Sequence, residues 1–188
     1  MKLKFNLITI FAVGLSLLLA ACGQQPIKGS GKQITDNRSA ASFNKIVLLG
    51  DFEVVATVGG QGPQVSVTAD DNIVPFIQTN VKGDTLTVMP AKNKNLLATS
   101  KPKITVNAAD LTKIELDGKG MVNVVGLKAD KVKVKLNGTG QITLAGNVQA
   151  VDLRLMGTGI INAKDLKAND AEIRLSGSGQ VSAFATKN

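Results

Sequence analysis

Apolar and polar residues alternate in short segments along most of the chain after residue 40. Such alternation predicts β-strands with one buried face. In the C-terminal half the segments recur together with Gly-x-Gly triplets, at intervals of 20, 19 and 20 residues. A fixed period of this length predicts stacked repeats that share one core. The glycines of the four triplets are Gly118, Gly120, Gly138, Gly140, Gly157, Gly159, Gly177 and Gly179.

Each repeat has the pattern of a strand, a Gly-x-Gly corner, a second strand, a turn and a shorter third strand. Three short strands in roughly twenty residues match one coil of a parallel β-helix, with coils about 4.8 Å apart. We therefore predict an all-β parallel β-helix with coils of about 20 residues, roughly six or seven coils between Phe43 and Asn188. Glycine allows a tight corner, whereas the alternative of a phosphate-binding loop lacks a following helix. The third strands are predicted to align at Leu127/Ala129, Val148/Ala150 and Leu166/Ala168.

The N-terminus has the pattern of an export signal, because Lys2 and Lys4 precede an uncharged apolar run that ends at Ala21. The run is too short to span a bilayer. Its end, Leu-Ala-Ala-Cys, resembles a bacterial lipobox, which implies lipidation of Cys22; the alternative is an ordinary signal peptide that ends near a cysteine. The predicted organisation is a signal peptide at 1–21, lipidated Cys22 and a tether at 22–31, and one β domain at 32–188. Gly23 after the cysteine is compatible with sorting to the outer membrane.

The amino-acid composition excludes several kinds of catalytic and metal-binding site. The chain has 22 Lys and Arg against 14 Asp and Glu, a single Cys, and no His, Trp or Tyr. Imidazole catalysis, His-ligated metals and intrachain disulfides are therefore excluded. We expect no catalytic residues, no cofactor, no metal and no enzymatic activity. Nucleic acid is not an expected partner, because the lysines are scattered, stacking aromatics are scarce and the chain is predicted to be exported.

Aligning the repeats places Lys135, Arg154 and Arg174 in one outward column, in which Glu115 is the first member. Such a basic column could bind an anionic polymer, such as lipopolysaccharide, capsule or extracellular DNA. In the alternative, Asp152 and Glu172 in the neighbouring column neutralise it as ordinary surface ion pairs.

Asp70, Asp71 and Asn72 form the second cluster of oxygen-bearing side chains. They lack the spacing of a calcium-binding loop and lie between two apolar segments. Because Asp and Asn favour turns, a turn is the preferred interpretation and a calcium site the alternative.

The order of segments also resembles a known family. GSGKQITDNR, FNKIVLLGDFEVV and VSVTADDNIVPFIQTNVKGDTLTV, followed by serial LxGxG units, are similar to the head GIN domain family of auto-transporter adhesins, a domain of unknown function. The resemblance covers about Gly29 to Asn188. It implies a right-handed parallel β-helix on a secreted or lipid-anchored envelope protein, and it offers no catalytic residues.

The leading hypothesis is a non-enzymatic lipoprotein, anchored in the membrane through its N-terminal lipid, that presents a β-helical surface to an envelope or host glycan or protein. A periplasmic structural or assembly role, with self-association through the open ends of the solenoid, is the first alternative. A polysaccharide-active β-helix enzyme is the second alternative, supported by analogy of fold alone.

Overall fold

The computed structural model describes residues 25–60 and 62–185, so Cys22, the predicted export signal and residues 186–188 lie outside the described part. The described residues form fourteen strands and one 3₁₀ turn at Val74–Phe76. The strands are β1 (Ile27–Lys28), β2 (Gln33–Ser39), β3 (Lys45–Leu49), β4 (Glu53–Val58), β5 (Gln64–Asp70), β6 (Ile77–Lys82), β7 (Thr85–Pro90), β8 (Leu96–Leu97), β9 (Lys103–Ala108), β10 (Lys113–Gly118), β11 (Met121–Gly138), β12 (Gln141–Gly157), β13 (Ile160–Ser176) and β14 (Gln180–Ala185).

The repeats stack in parallel with the spacing that their sequence indicates. Ile114 pairs with Val134, Val134 with Leu153, and Leu153 with Ile173, along β10 to β13. β3 and β4 extend the same ladders, since β3 pairs with β10 and β4 with β11. Twelve of the described strands belong to one sheet, which curls strongly into a half-barrel.

The core lies inside this curl because every second side chain of the strands points inward. Leu116, Leu136, Leu144 and Leu155 have no exposed surface. Each of these residues is followed or preceded by polar side chains on the outer face, which is the period of two seen in the sequence. The prediction of an all-β fold is confirmed.

The Gly-x-Gly corners stack directly on one another. The Gly138 backbone has φ of 115°, a conformation that side-chain-bearing residues rarely adopt. Gly140 lies under the carbonyl oxygen of Gly120, so close that a Cβ atom would come within 2.5 Å of it. The two glycines of a corner are thus needed for different reasons, backbone conformation for the first and close approach of the neighbouring corner for the second.

The N-terminal half differs from the expected run of parallel coils. β5 is antiparallel to β2 and to β9, and β6 is antiparallel to β7. The chain from the end of β5 to the start of β6 buries Ile73, Val74 and Ile77, which pack against this end of the core. This end of the half-barrel is therefore closed by antiparallel strands and a 3₁₀ turn rather than by further repeats.

Two further details differ from the expected organisation. The last part of the predicted tether is structured, because Ile27–Lys28 pairs in parallel with Leu96–Leu97 in the inserted loop 92–102. In the second repeat Gly146, not Val148, stands opposite Leu127, and Val148 stands opposite Ala129. The second repeat is one residue shorter at the turn after Leu144, which shifts its third strand relative to the predicted alignment.

Candidate binding surface

The structure places Glu115, Lys135, Arg154 and Arg174 in one column on consecutive strands. The neighbouring column contains Lys113, Lys133, Asp152 and Glu172 in the same order. Side chains on adjacent strands of such columns are about 4.8 Å apart, within reach of one another. The outward placement of the basic side chains is thus as the repeat spacing indicates.

Each basic residue of the column has an acidic partner. The Arg154 guanidinium donates from Nε to Asp152 Oδ1 over 3.0 Å and from Nη2 to Oδ2 over 2.8 Å. Arg174 forms an ion pair with Glu172, and Lys135 Nζ lies 3.1 Å from Glu115 Oε1. The hydrogen bonds from Arg154 hold the pKa of the buried Asp152 carboxyl below its ordinary value, although burial acts in the opposite direction. The column is a set of ion pairs rather than a row of free cations.

Glu115 completes this neutralisation at the other end of the column. Burial raises the pKa of Glu115, but hydrogen bonds from Lys113 and Lys135 outweigh it and leave the pKa below its ordinary value. Lys113 Nζ lies 2.7 Å from Glu115 Oε2. Two lysines therefore share one carboxylate, and binding of an anionic polymer at Lys135, Arg154 and Arg174 stays a prediction that would have to compete with these pairs.

A second basic surface follows the third strand of each repeat. An open groove of about 840 Å³ runs across β11, β12 and β13, and we call it the lysine groove. Three lysines line it, Lys128, Lys131 and Lys167, and all three are exposed. Within residues 25–60 and 62–185 none of these lysines forms an ion pair. Asp110 and Asp130 also line the groove, so the net charge of its lining residues is positive by one.

The groove is concave because its floor is built from small side chains. Ala129, Val148 and Ala168 stand opposite one another there and pack against the core. Lys128, Asn147 and Lys167 form the adjoining outward column, which places the two lysines two strands, or about 10 Å, apart. The predicted alignment is wrong by two residues in the second repeat, which separates Asn147 from this column. The aligned pairs Leu127/Ala129 and Leu166/Ala168 already place Lys128 and Lys167 in one column, and correct placement of the one-residue deletion would add Asn147 between them.

Amide side chains continue the polar lining of the groove. Asn169 Nδ2 donates to Gln149 Oε1 over 2.6 Å on the neighbouring strand. Amides and ammonium groups together offer donors to carboxylate, sulfate and hydroxyl oxygens. The groove therefore presents several hydrogen-bond donors on one side of the sheet.

Asp70 is structural rather than part of a binding surface. It is fully buried, and its carboxylate accepts hydrogen bonds from the Thr99 hydroxyl over 2.6 Å, the Thr99 amide over 2.8 Å and the Gly31 amide over 2.9 Å. The hydrogen bonds from Thr99, followed by that from Gly31, hold the pKa of Asp70 below its ordinary value of 3.8. One carboxylate thus joins the N-terminal segment and the inserted loop to the end of β5.

The turn interpretation of the Asp70–Asn72 cluster agrees with the structure. Residues 71–73 form a turn, in which the Asn72 side chain accepts from the Ser30 amide over 2.9 Å and donates to the Lys28 carbonyl over 2.8 Å. Within the described ranges no three acidic or cysteine side chains converge in a way that could hold a metal ion. Among those same residues no helix has the length and apolar character needed to cross a membrane.

Similar solved structures share this fold. One is a "putative adhesin" from Bacteroides fragilis NCTC 9343, with 28% identity and a TM-score of 0.68 over 85% of this chain and 84% of that one. A "putative lipid binding protein" from Parabacteroides distasonis ATCC 8503 matches with 23% identity and a TM-score of 0.54, over 86% of each chain. A "putative adhesin" from the same strain matches with 21% identity and a TM-score of 0.53, over 86% of this chain and 85% of that one.

No curated protein matches the chain. The family model described as "Putative auto-transporter adhesin, head GIN domain" matches residues 42–188, which include the repeats, the corner glycines and both basic surfaces. The match covers well over half of the chain and agrees with the order of segments noted in the sequence. The chain belongs to the head GIN domain family.

Proposed function

We propose that this protein is an exported, lipid-anchored protein of the bacterial envelope that binds an acidic polymer in the lysine groove, without catalysis. The observation that carries the proposal is the presence of three exposed lysines without ion pairs around one concave surface. The predicted basic column is a less suitable site because each of its cations already has a carboxylate partner.

The architecture supports a binding role. We propose that the parallel repeats form a right-handed β-helix, in which stacked strands hold side chains at fixed separations along a rigid surface. Lys128 and Lys167, on strands two apart, are suited to successive acidic groups of a repeating chain such as an acidic glycan. The family and the 28% identical structure are described as adhesins rather than as enzymes, which agrees with binding without turnover.

The anchor is proposed from the sequence. A diacylglycerol on Cys22, with a further acyl chain on the new amino terminus, gives stable attachment to a membrane. Ile27–Lys28 is the first strand of the described residues and lies only a few positions after Cys22 in the sequence. We propose the outer membrane as its location.

The lysine groove and the ion-paired column can be compared directly by two matched triple variants. We expect Lys128→Ser/Lys131→Ser/Lys167→Ser to lower the slope of log retention on immobilised heparin against log salt by about three, one for each lost contact. Lys135→Ser/Arg154→Ser/Arg174→Ser removes the same number of charges but should lower the slope by less than about one, because those cations are already paired. Equal losses in the two variants would show a non-specific charge effect and contradict the assignment to the groove.

Replacement of Cys22 by serine tests the anchor. We expect the Cys22→Ser chain to lose incorporation of labelled fatty acid and to leave the membrane fraction, while the unmodified chain retains both. Protease added to intact cells, with a periplasmic protein as the intactness control, then reports which side of the outer membrane the domain faces. Cleavage would support adhesion at the surface, whereas protection followed by cleavage after permeabilisation would favour the periplasmic role.

A further inference from the structure

The C-terminal end of the core is uncovered. Ile173 and Leu175 are 48% and 51% exposed, although they continue the columns of Leu153 and Leu155, which have no exposed surface. The inward side chains of the last repeat therefore contribute an apolar surface at the end of the sheet. Phe184 does not cover it, because it stands opposite Lys167, in the outward column of the lysine groove.

The backbone at this end also has an open edge. Residues 171–176 of β13 pair with β12 on one side. On the other side β14 pairs only with the earlier part of β13, from Ile160 to Ala168, so no described strand adjoins residues 171–176. An exposed apolar strand with free N–H and C=O groups is a template for pairing with another strand.

The two ends of the half-barrel are not alike, and this limits which partner fits. The N-terminal end is covered by buried Ile73, Val74 and Ile77 and by antiparallel strands. Head-to-tail stacking of copies would place the open end against the edge strands β2 and β6, whose exposed side chains are mostly polar. The same open end on a second copy is a complementary partner, and such a contact closes with twofold symmetry.

We propose that the protein forms a dimer through residues 171–175 of β13, paired antiparallel to the same residues of a second copy around a twofold axis at Ile173. In this register Ile173 meets Ile173 of the second copy, and Ala171 meets Leu175, so the uncovered inward side chains bury one another. On the outer face Glu172 stands opposite Arg174 in both halves of the pair. The charges are therefore complementary in the antiparallel arrangement, whereas a parallel pair in register would place Glu172 opposite Glu172.

A single cysteine at the axis tests this geometry in the intact chain. Residues opposite one another in antiparallel strands have Cα atoms about 4.5–5.5 Å apart, within the range for a disulfide. In an oxidising envelope the Ile173→Cys chain should yield at least about fivefold more disulfide-linked homodimer than the Val125→Cys chain. Val125 is a matched control because it is 46% exposed and lies on β11, away from this end. The unmodified chain measures any contribution from Cys22.

Charge reversal in the Ile173→Cys background tests the register. Glu172→Arg and Arg174→Glu each place like charges opposite one another, and each should lower the yield of linked homodimer by about tenfold. Co-expression of the two variants should restore the yield of linked dimer, now with one copy of each variant. In this mixed dimer the two arginines of one copy face the two glutamates of the other across the axis. The native side chains at these two positions are more than half exposed, so folding should be retained, as judged by circular dichroism.

These crosslinking experiments distinguish a second copy of the chain from other partners at the open end. Equal crosslinking at positions 173 and 125, or charge reversals that do not rescue one another, would overturn the dimer. A linked product of another mass would identify a different partner chain instead, which also contradicts the proposal. Because position 173 lies outside the lysine groove, loss of heparin binding in the groove variant leaves this result unchanged.

Discussion

Gly138→Ala is expected to lower the free energy of unfolding by about 3 kcal/mol or more, because it combines two costs. At φ of 115° an alanine is in a backbone region that is essentially restricted to glycine. Its Cβ would also come within 2.6 Å of the Gly118 carbonyl oxygen on the preceding corner. The backbone of the stacked corner cannot move without disturbing its neighbours, and urea unfolding of the variant would measure the loss.

Three other alanine variants separate the two costs. Gly140→Ala adds a close contact without positive φ, and we expect a loss of about 2 kcal/mol. Gly59→Ala has φ of 91° but open space around its Cβ, and we expect about 1 kcal/mol. Gly60→Ala has neither feature and should change stability by less than about 0.5 kcal/mol. If Gly138→Ala were no worse than Gly60→Ala, tight stacking of the corners would be contradicted.

Asp70→Ala is expected to lower Tm by about 5–10 °C, since it removes the buried acceptor of three hydrogen bonds that join two segments to β5. The Thr99 hydroxyl, the Thr99 amide and the Gly31 amide all donate to this carboxylate. Their loss should release the N-terminal segment and the inserted loop first, so protection of the Thr99 and Gly31 amides from hydrogen exchange should fall more than protection in the repeats. Thermal scans and hydrogen exchange on the same variant measure both effects.

The dependence of Tm on pH supplies an independent test of the stabilising role of the Asp70 carboxylate. Its pKa in the folded chain is below the ordinary value of 3.8, so its contribution to stability is complete above that pH and is lost as the pH falls through the folded pKa. The unmodified chain should therefore lose Tm more steeply below about pH 4 than Asp70→Ala does. Asp71→Ala is the matched control. The hydrogen bond from the Ser30 hydroxyl also holds the pKa of Asp71 below its ordinary value, but Asp71 is partly exposed, so its loss should change Tm by less than about 2 °C. A similar acid response in all three chains would mean that Asp70 is not the anchor described.

The repeated half of the fold follows closely from the sequence. The Gly-x-Gly period predicts which residues stand opposite one another, and Glu115, Lys135, Arg154 and Arg174 form the expected column. This succeeds because side chains alternate strictly along a strand and because stacked repeats must align their corners. The sequence also predicts, as the alternative to polymer binding, that Asp152 and Glu172 in the neighbouring column form ion pairs with the basic residues.

The lysine groove follows from the sequence only in part. The predicted alignment of Leu127 with Leu166 already places Lys128 and Lys167 in one column, but the middle member of that column depends on a turn of variable length. The predicted alignment places Val148 opposite Leu127, whereas the shorter turn after Leu144 places Gly146 there, two residues earlier. Both positions are apolar or small, so the pattern of hydrophobic residues does not distinguish the two alignments. Placement of Asn147 between the two lysines therefore required the observed backbone register.

Local alternation and the glycine period were sufficient to establish strands, corners and the parallel repeat, because these features depend on residues that are close in sequence or equivalent between repeats. The antiparallel N-terminal end, the burial of Asp70 and the open edge at Ile173 depend on contacts between segments distant in the sequence. Asp70 and Thr99 are 29 residues apart, and neither carries a local signal for the other. Such partners are selected by the shared core and by the need to pair buried polar groups, and both conditions arise only when the chain is folded.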